Sequence, residues 1–199
     1  YFKPADQRAR STVSMNALKE GIRVWDRDIN RFLTSDYVPL YNPVEEYLYD
    51  TGRWDGKDRI RALADLVPCH NPHWQELFYR WFLGMVAHWR GMDRQHGNNT
   101  SPLLVGSQGF RKSTFCRILL PPELRFGYTD SIDFKSRQEA ERSLGRFLLV
   151  NIDEFDQISI NQQGFLKHLL QKPVANLRKP YGSTIREMRR YASFIGTSR

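Results

Sequence analysis

The sequence predicts an α/β fold in which a parallel sheet is flanked by helices and preceded by a helical N-terminal region. Three short apolar runs indicate the sheet, namely Pro102–Val105, Phe147–Ile152 and Tyr191–Ile195. Each run is almost continuously apolar rather than alternating, which is typical of strands covered on both faces. We therefore expect a helical region over residues 1–100 and an α/β core over residues 101–199.

Helical periodicity and turn signals predict four helices before the first strand. Ser14–Trp25 is expected to form one helix, and Asn42 followed by Pro43 is a typical cap and first turn of the next. Asp58–Val67 carries apolar residues at the spacing of one helical face. The strongest pattern runs over Asn71–Arg90, and we expect its apolar stripe to pack in the core rather than to bind a partner. The stripe consists of Trp74, Leu77, Phe78, Trp81, Phe82, Met85 and Trp89.

Three further helices are expected to cover the sheet, over Lys112–Leu119, Ser136–Leu144 and Asn161–Gln171. After the last of them, Val174–Arg190 is typical of two short strands joined by Pro-Tyr-Gly. Proline presets the backbone of such a turn and glycine permits a positive φ. A β-hairpin is therefore expected just before the last strand.

Composition and charge restrict the class of protein. The 199 residues, of which 40% are hydrophobic, suffice for one substantial domain or a small helical unit attached to a mid-sized one. The formal net charge of +8 at pH 7 would attract a polyanion, and nucleic acid is the leading candidate. Cys69 and Cys116 have no regular spacing, which argues against a disulfide framework. Cys69 lies near His70 and His73, but a second pair of ligands is lacking, so we assign no zinc site there.

Membrane and targeting segments are not expected. No apolar run approaches the roughly 18 residues of a membrane span, and no basic-then-apolar leader begins the chain. We expect a soluble, cytoplasmic protein without a membrane partner. Because the chain begins at Tyr1 and ends at Arg199 directly after an apolar run, we also expect it to be a piece of a longer protein.

The segment after the first apolar run matches a phosphate-binding pattern. Counting G-x-x-x-x-G-K-[ST] from Gly106 places the lysine at Lys112 and the hydroxyl at Ser113. In this pattern backbone N–H groups wrap the phosphates, the lysine reaches them and the hydroxyl ligates Mg²⁺. Only the sixth position departs, because Arg111 replaces glycine, while Gly109 lets the loop tighten.

Arg111 leaves two interpretations of this loop open. In the first, its backbone is near-helical and its side chain points outward or towards a phosphate. In the second, the segment is an ordinary strand–turn–helix connection whose glycines serve only the turn.

The second apolar run ends in Asp153 and Glu154, about forty residues after Lys112. Magnesium-assisted phosphoryl transfer needs one carboxylate at a strand tip to hold the Mg²⁺ shell and a neighbour to deprotonate water. We assign the first role to Asp153 and the second to Glu154, although acids also cap strands at sheet edges without any catalytic role. Loop and acids together predict binding of ATP with Mg²⁺.

Polar residues also end the third run, at Thr197 and Ser198. A polar side chain at this place senses the γ-phosphate in motor ATPases, whereas a polar strand end without any role is the alternative.

The predicted hairpin is rich in cations. Arg178, Lys179 and Arg186, with Tyr181 near the tip, are candidates for contact with DNA. Phosphate contacts combined with one aromatic side chain for stacking are the chemistry of sequence-independent binding to a single strand. Arg189 and Arg190 extend the basic run, and a solvated basic face is the alternative.

Taken together, these segments resemble the virulence-associated protein E family, which is related to superfamily 3 helicases and to the helicase half of primase-helicases. The resemblance covers Tyr41–Arg199. It rests on NPVEEYLYDTGRWDGKDRI, GSQGFRKSTF, LLVNIDEF, RKPYGST and FIGTS.

This resemblance implies an AAA+-like P-loop NTPase core that acts as a homo-oligomeric ring in the full-length protein. Such a ring would couple ATP hydrolysis to movement on DNA during replication of mobile elements, with the hairpin projecting into its channel. An arginine finger is implied downstream of this chain. The residues carried over are Gly106, Gly109, Lys112, Ser113 and Thr114 for the loop, Asp153 and Glu154 for the acids, and Thr197 and Ser198 for the sensor.

Two residues depart from the family pattern. Arg111 stands at the usual glycine, and Arg199 stands where an asparagine would act as sensor. Three functions therefore remain open: the ATPase domain of a DNA helicase or primase-helicase-like protein, a degenerate domain that binds DNA without ATP turnover, and a small-molecule kinase. A kinase usually needs an arginine-rich lid and no paired acids, so Asp153 and Glu154 argue against the third.

Overall fold

A computed structural model describes residues 6–178 and 185–199 of the chain. The described residues form two compact units, divided between Glu46 and Tyr47. Within the described ranges, no helix combines the length and the apolar character that crossing a membrane requires.

The first unit begins with helices α1, Gln7–Lys19, and α2, Asp26–Leu33. The single helix predicted over Ser14–Trp25 is wrong, because the chain turns at Gly21, whose φ is +77°. The Gly21 N–H donates to the Leu18 carbonyl, and the next N–H donates to Ala17. A left-handed glycine with two nested hydrogen bonds, one enclosed by the other, is a common way to end a helix.

Three of the helices that precede the sheet match the prediction. Helix α3, Pro43–Asp50, spans the division between the units, and the Asn42 side chain caps its first turn. Helix α4, Arg59–Asp65, begins after Asp58, whose carboxylate accepts from the Arg61 N–H at 3.0 Å. Helix α5, Trp74–Trp89, buries most of its stripe in the core, which confirms the packing role. The fully or almost fully buried members are Phe78, Trp81, Met85 and Trp89.

Four parallel strands form the main sheet in the order β1-β6-β3-β2. Strands β1, β3 and β6 confirm the three predicted runs, and β6 ends at Ser198, within the polar end that was expected for it. Strand β2 consists of two half-buried residues and was not predicted. The strands are β1, Leu103–Val105; β2, Tyr128–Thr129; β3, Leu149–Ile152; and β6, Ser193–Ser198.

The predicted hairpin pairs antiparallel as β4, Val174–Arg178, with β5, Ile185–Arg189. Helices α6, Lys112–Ile118, α7, Arg137–Arg146, and α8, Ile160–Gln171, lie where the three helices of the core were expected. Two 3₁₀ helices complete the elements, Pro122–Gly127 and Phe155–Gln157.

The main core lies between the sheet and helices α7 and α8. Val150 and Phe194 project from adjacent strands and pack with Ala140, Leu144 and Leu169, all of them fully buried. The mixed α/β architecture is therefore a parallel sheet flanked by helices. Because β1, β3 and β6 run parallel, their carboxyl ends meet at one edge of the sheet.

Candidate functional site

A cavity of about 360 Å³ opens at this edge, and we call it the strand-end cavity. It brings together the loop after β1, the acids after β3 and the end of β6. Its walls are Gln108, Gly109, Arg111, Lys112, Ser113, Thr114, Asp153, Glu154, Ser198 and Arg199.

The register of the sheet explains why these segments meet. Val105 pairs with Ser198 across β1 and β6, and Ile152 pairs with Gly196 across β3 and β6. The three strands thus end at nearly the same height, so the residues that follow them share one space. Gly106 lies directly after β1, and its N–H donates to the Ser198 carbonyl at 3.3 Å.

Arg111 has a left-handed backbone, with φ of 55° and ψ of 28°. The expected near-helical backbone of the usual right-handed kind is therefore wrong. Arg111 directly precedes α6, and the chain reverses there after Gly109, whose φ is +93°. The left-handed conformation is the one that favours glycine, and a residue with a Cβ adopts it at a cost of about 1–2 kcal/mol.

Glu154 has the same unusual backbone, with φ of 50° and ψ of 48°. Among the residues that the structure describes, Arg111 and Glu154 are the two non-glycine residues with positive φ. Both line the strand-end cavity. Strained backbone of this kind clusters at functional sites, where the surrounding structure holds it in place.

The Lys112 ammonium is held by the loop that precedes it. Its Nζ donates to the Gly106 carbonyl at 2.6 Å and to the Ser107 carbonyl at 2.9 Å. These two bonds fix a positive charge on the cavity wall, beside the hydroxyls of Ser113 and Thr114.

The carboxylate of Asp153 is oriented from two directions. Its Oδ1 accepts a hydrogen bond from the Thr197 hydroxyl and another, at 3.1 Å, from the Glu154 N–H. Thr197 is fully buried, so the hydroxyl that orients Asp153 is itself fixed by packing. The second residue of the predicted sensor, Ser198, contacts a different acid.

That acid is Asp156, which the sequence reasoning missed. The Ser198 hydroxyl donates to Asp156 Oδ1 at 2.8 Å, and this bond holds the pKa of the Asp156 carboxyl below its usual value. A third acid two positions after Glu154, in the run DEFD, was the signal that could have found it. Arg199 also reaches this group of acids, with its guanidinium 3.8 Å from a Glu154 oxygen.

The donor set fits a magnesium ion accompanied by phosphate. Within residues 6–178 and 185–199, no three Asp, Glu, His or Cys side chains are grouped so that they could hold a metal by themselves. Mg²⁺ is usually bound by one or two carboxylates together with substrate phosphates and waters. Asp153 and the Ser113 hydroxyl could supply this small number of protein ligands.

Helix α6 carries a buried thiol, that of Cys116. Burial, with a smaller contribution from the Asp153 charge, raises the pKa of Cys116 to about 12. A raised pKa lowers the thiolate fraction, so Cys116 is a weak nucleophile.

The structure describes the proposed DNA-contacting residues only in part. Lys179 and Tyr181 lie outside the described residues. Arg178 and Arg186 lie at the far end of the paired strands, opposite Ile185 and Leu177 respectively.

Arg190 corrects the expectation of a basic run along the surface of the hairpin. Its side chain is only 1% exposed and donates to the carbonyls of Ala192, Leu169, Leu170 and Lys172. Three of those carbonyls belong to the end of α8 and the residue after it, where backbone acceptors lack helical partners. Arg190 therefore caps a helix inside the protein instead of facing a nucleic acid.

Comparisons with known proteins find a matching domain family and similar solved structures. The virulence-associated protein E-like domain matches residues 48–199. One of the similar solved structures is the A form apo structure of the NrS-1 C-terminal region; it has 15% sequence identity and a TM-score of 0.46, over 70% of this chain and 32% of that chain. The chain thus spans about a third of that structure's length. No curated protein matches the chain.

Proposed function

Because the chain belongs to the virulence-associated protein E-like domain family, we propose that it contains the P-loop ATPase core of a DNA helicase or primase-helicase-like protein. In this proposal residues 101–199 hold the AAA+-like core and residues 1–100 are a helical region in front of it. The protein couples hydrolysis of Mg-ATP to movement along DNA in the replication of a mobile element. Its place of action is the cytoplasm.

The observation that carries the proposal is the composition of the strand-end cavity. A lysine, two hydroxyls and two adjacent acids arrive there from separate strand ends. An ammonium and hydroxyls suit a polyphosphate, and the acids that line the same cavity suit a metal and a water molecule. Strained backbone at Arg111 and Glu154 supports a site built for function.

Each residue has a role in this proposal. Lys112, with the loop from Gly106 to Thr114, would hold the phosphates. Ser113 and Asp153 would hold Mg²⁺, which when bound neutralises phosphate charge. Glu154 would accept the proton of the attacking water, and Arg199 lies close enough to orient it.

In this proposal the sensor residues connect the acids of the strand-end cavity with the hairpin that would contact DNA. Thr197 donates to Asp153, and Ser198 donates to Asp156, so the end of β6 contacts the acids directly. The hairpin strand β5 ends at Arg189, and β6 begins at Ser193. A displacement at the acids therefore has a short path along the chain to the hairpin, where Arg178, Lys179, Tyr181 and Arg186 would contact DNA.

The partners follow from charge and family. A net charge of +8 favours association with a polyanion, and we propose single-stranded DNA. The full-length protein would act as a homo-oligomeric ring, with an arginine finger supplied from a neighbouring subunit.

A second candidate function is a degenerate domain that binds DNA without ATP turnover. Arg111 at the usual glycine favours it, because the left-handed backbone brings a bulky side chain to the cavity wall. The two candidates differ in whether the cavity binds nucleotide.

The first experiment is a titration of Mg-ATP followed by thermal unfolding. Three proteins are compared: the wild type, Lys112→Ala, and Lys167→Ala, which removes an exposed lysine from α8. Ligand at about 100 times its dissociation constant stabilises the native state by about 2.7 kcal/mol, which raises Tm by several degrees for a chain of this size. We expect this shift in the wild type and in Lys167→Ala but not in Lys112→Ala.

Absence of a shift in all three proteins would favour the degenerate domain. Where binding is found, ATP turnover is measured with and without single-stranded DNA in the wild type and in Glu154→Gln. Turnover that rises with DNA and is lost in Glu154→Gln supports the helicase proposal, and turnover that survives the substitution contradicts the role of Glu154.

A further inference from the structure

A second and larger cavity, of about 870 Å³, adjoins the strand-end cavity, and we call it the side groove. Its walls come from the connection between α4 and α5, the first half of α5, strand β1 and the loop after β1. Lys112 lines both cavities, and Gly106 and Ser107, whose carbonyls hold the Lys112 ammonium, line the side groove. The two spaces therefore lie next to each other at the lysine.

Aromatic rings form much of the side groove. The rings of Trp74 and Phe78 lie 5.3 Å apart, and the Phe115 ring of α6 lies 6.3 Å from Phe78. The Trp74 indole N–H donates to the Ala64 carbonyl at 2.9 Å, which fixes that ring against α4. Phe78 is fully buried, so the half-buried rings of Trp74 and Phe115 that pack against it form the part of this apolar wall that a ligand can reach.

At the rim of the groove, Phe110 is an exposed aromatic residue in the loop itself. It is 69% exposed, between Gly109 and Arg111, and it lines the side groove. Leu66 faces the same space from the end of α4 and is 65% exposed. Exposed apolar residues gathered around one concave space indicate a ligand or partner rather than ordinary surface.

We propose that the side groove binds the base and ribose of the nucleotide whose phosphates lie at Lys112, with Phe110 stacking on the base. This inference rests on the proposed function, because it takes the strand-end cavity as the phosphate site. The adjacency of the two cavities at Lys112 supports it, because the phosphates and the base of a nucleotide need neighbouring sites, one polar and one aromatic.

The size and chemistry of the side groove fit such an occupant. Its volume lies in the range of about 300–1,000 Å³ that small-molecule sites usually have. Polar groups of His70, Asn71 and Thr100 lie among the apolar walls and can accept from or donate to a base or a ribose. Stacking on one aromatic side chain changes affinity for a base by about fivefold to a hundredfold.

The test compares two probes that share the phosphates but not the nucleoside. Mg-ATP and Mg-tripolyphosphate are titrated calorimetrically into the wild type, Phe110→Ser and Leu66→Ser. The controls are Phe126→Ser and Ile160→Ser, which remove exposed apolar side chains that are 60% and 84% exposed and lie outside the lining of the side groove. Because all four substituted side chains are exposed, the fold is expected to survive each change.

We expect the wild type and both controls to bind Mg-ATP at least about tenfold more tightly than Mg-tripolyphosphate. Phe110→Ser should lose about fivefold or more of the affinity for Mg-ATP and leave the affinity for Mg-tripolyphosphate unchanged, and Leu66→Ser should shift in the same direction. Equal affinity of the wild type for the two probes, or equal loss of both in Phe110→Ser, overturns the side-groove proposal while leaving the phosphate site intact. Failure of the wild type to bind either probe overturns the proposed function instead, and the side-groove proposal with it.

Discussion

The Thr197 hydroxyl donates a hydrogen bond to Oδ1 of Asp153, 44 positions earlier in the chain. This bond joins the ends of β6 and β3 at the wall of the strand-end cavity. Thr197 is buried whereas Asp153 is exposed to the cavity, so packing around Thr197 fixes the hydroxyl that orients the carboxylate. Removing the Thr197 hydroxyl therefore tests the orientation of Asp153 separately from the stability of the fold.

We predict that Thr197→Val weakens the response to Mg-ATP more than it destabilises the protein. Valine keeps the shape and removes the donor, and because water can solvate the freed Asp153 oxygen, the free energy of unfolding should fall by only about 1 kcal/mol. Urea unfolding measures that fall, and the Tm shift with Mg-ATP measures the binding. Thr197→Ser keeps the hydroxyl and should restore the Tm shift, whereas equal shifts in the valine and serine variants would contradict the orienting role.

We predict that Arg111→Gly stabilises the protein by up to about 1.5 kcal/mol, while Arg111→Ala does not. Glycine removes the cost of the left-handed backbone, about 1–2 kcal/mol, but loses about 0.5–1 kcal/mol through its greater freedom in the unfolded chain. Alanine has the same Cβ as arginine and keeps the strain. Denaturant unfolding of the three proteins measures the difference, and a glycine variant less stable than the alanine variant would contradict it.

The same two variants also test what the Arg111 side chain does. If it contacts a phosphate, both substitutions lower the affinity for Mg-ATP by a similar factor. If it only obstructs the cavity, Arg111→Gly binds Mg-ATP more tightly than the wild type.

Much of this site could be predicted because it follows strands with largely apolar sequences. Strands β3 and β6 are buried throughout, as their apolar runs predict, so parallel strands with shared ends could be expected. Strand β1 departs from this expectation, because it lies at the edge of the sheet and exposes Leu103 and Val105. The left-handed backbone of Arg111 differs from the near-helical one that was expected, because the position in the loop sets the backbone there and the residue type does not. Glycine is usual at this position since the chain needs a positive φ, and Arg111 adopts that positive φ as well.

Two other features depended on tertiary structure. Strand β2 has two residues, Tyr128 and Thr129, and so short a segment carries no periodicity. Arg190 follows a basic run and would be expected at the surface, but the free carbonyls at the end of α8 lie within its reach. Neither the short pairing nor the buried cap has a local signal in the sequence.

We predict that His88 makes the protein less stable as the pH falls below about 6.5. His88 is only 3% exposed, and burial, with a further contribution from the nearby Arg190 charge, lowers its pKa from 6.5 to about 4. Because the folded pKa is depressed, this stabilisation is present above 6.5, where the unfolded histidine is also neutral, and is lost as the pH falls towards 4. The difference corresponds to about 3 kcal/mol at most.

Urea unfolding at pH 7 and pH 5 checks this prediction. The loss of stability between the two values should be smaller in His88→Asn than in the wild type. His70→Asn changes an exposed histidine and should behave as the wild type does. A wild type and a His88→Asn variant with the same pH dependence would show that another group titrates in this range.

The last prediction concerns the proposed DNA contacts of the hairpin. Replacing Arg178, Lys179 and Arg186 together by serine should lower the affinity for single-stranded DNA and reduce the slope of log K against log salt by about 0.7 for each lost phosphate contact. Loss of positive charge anywhere on the protein would also weaken binding at low salt, so the matched control replaces Arg27, Arg31 and Arg80, three exposed arginines outside the hairpin. Both triple variants remove three charges, but only contacts that release counterions change the slope. A fluorescence-anisotropy titration with a labelled oligonucleotide at several salt concentrations separates the two effects, and an unchanged slope in the hairpin variant would place the DNA contacts outside the hairpin.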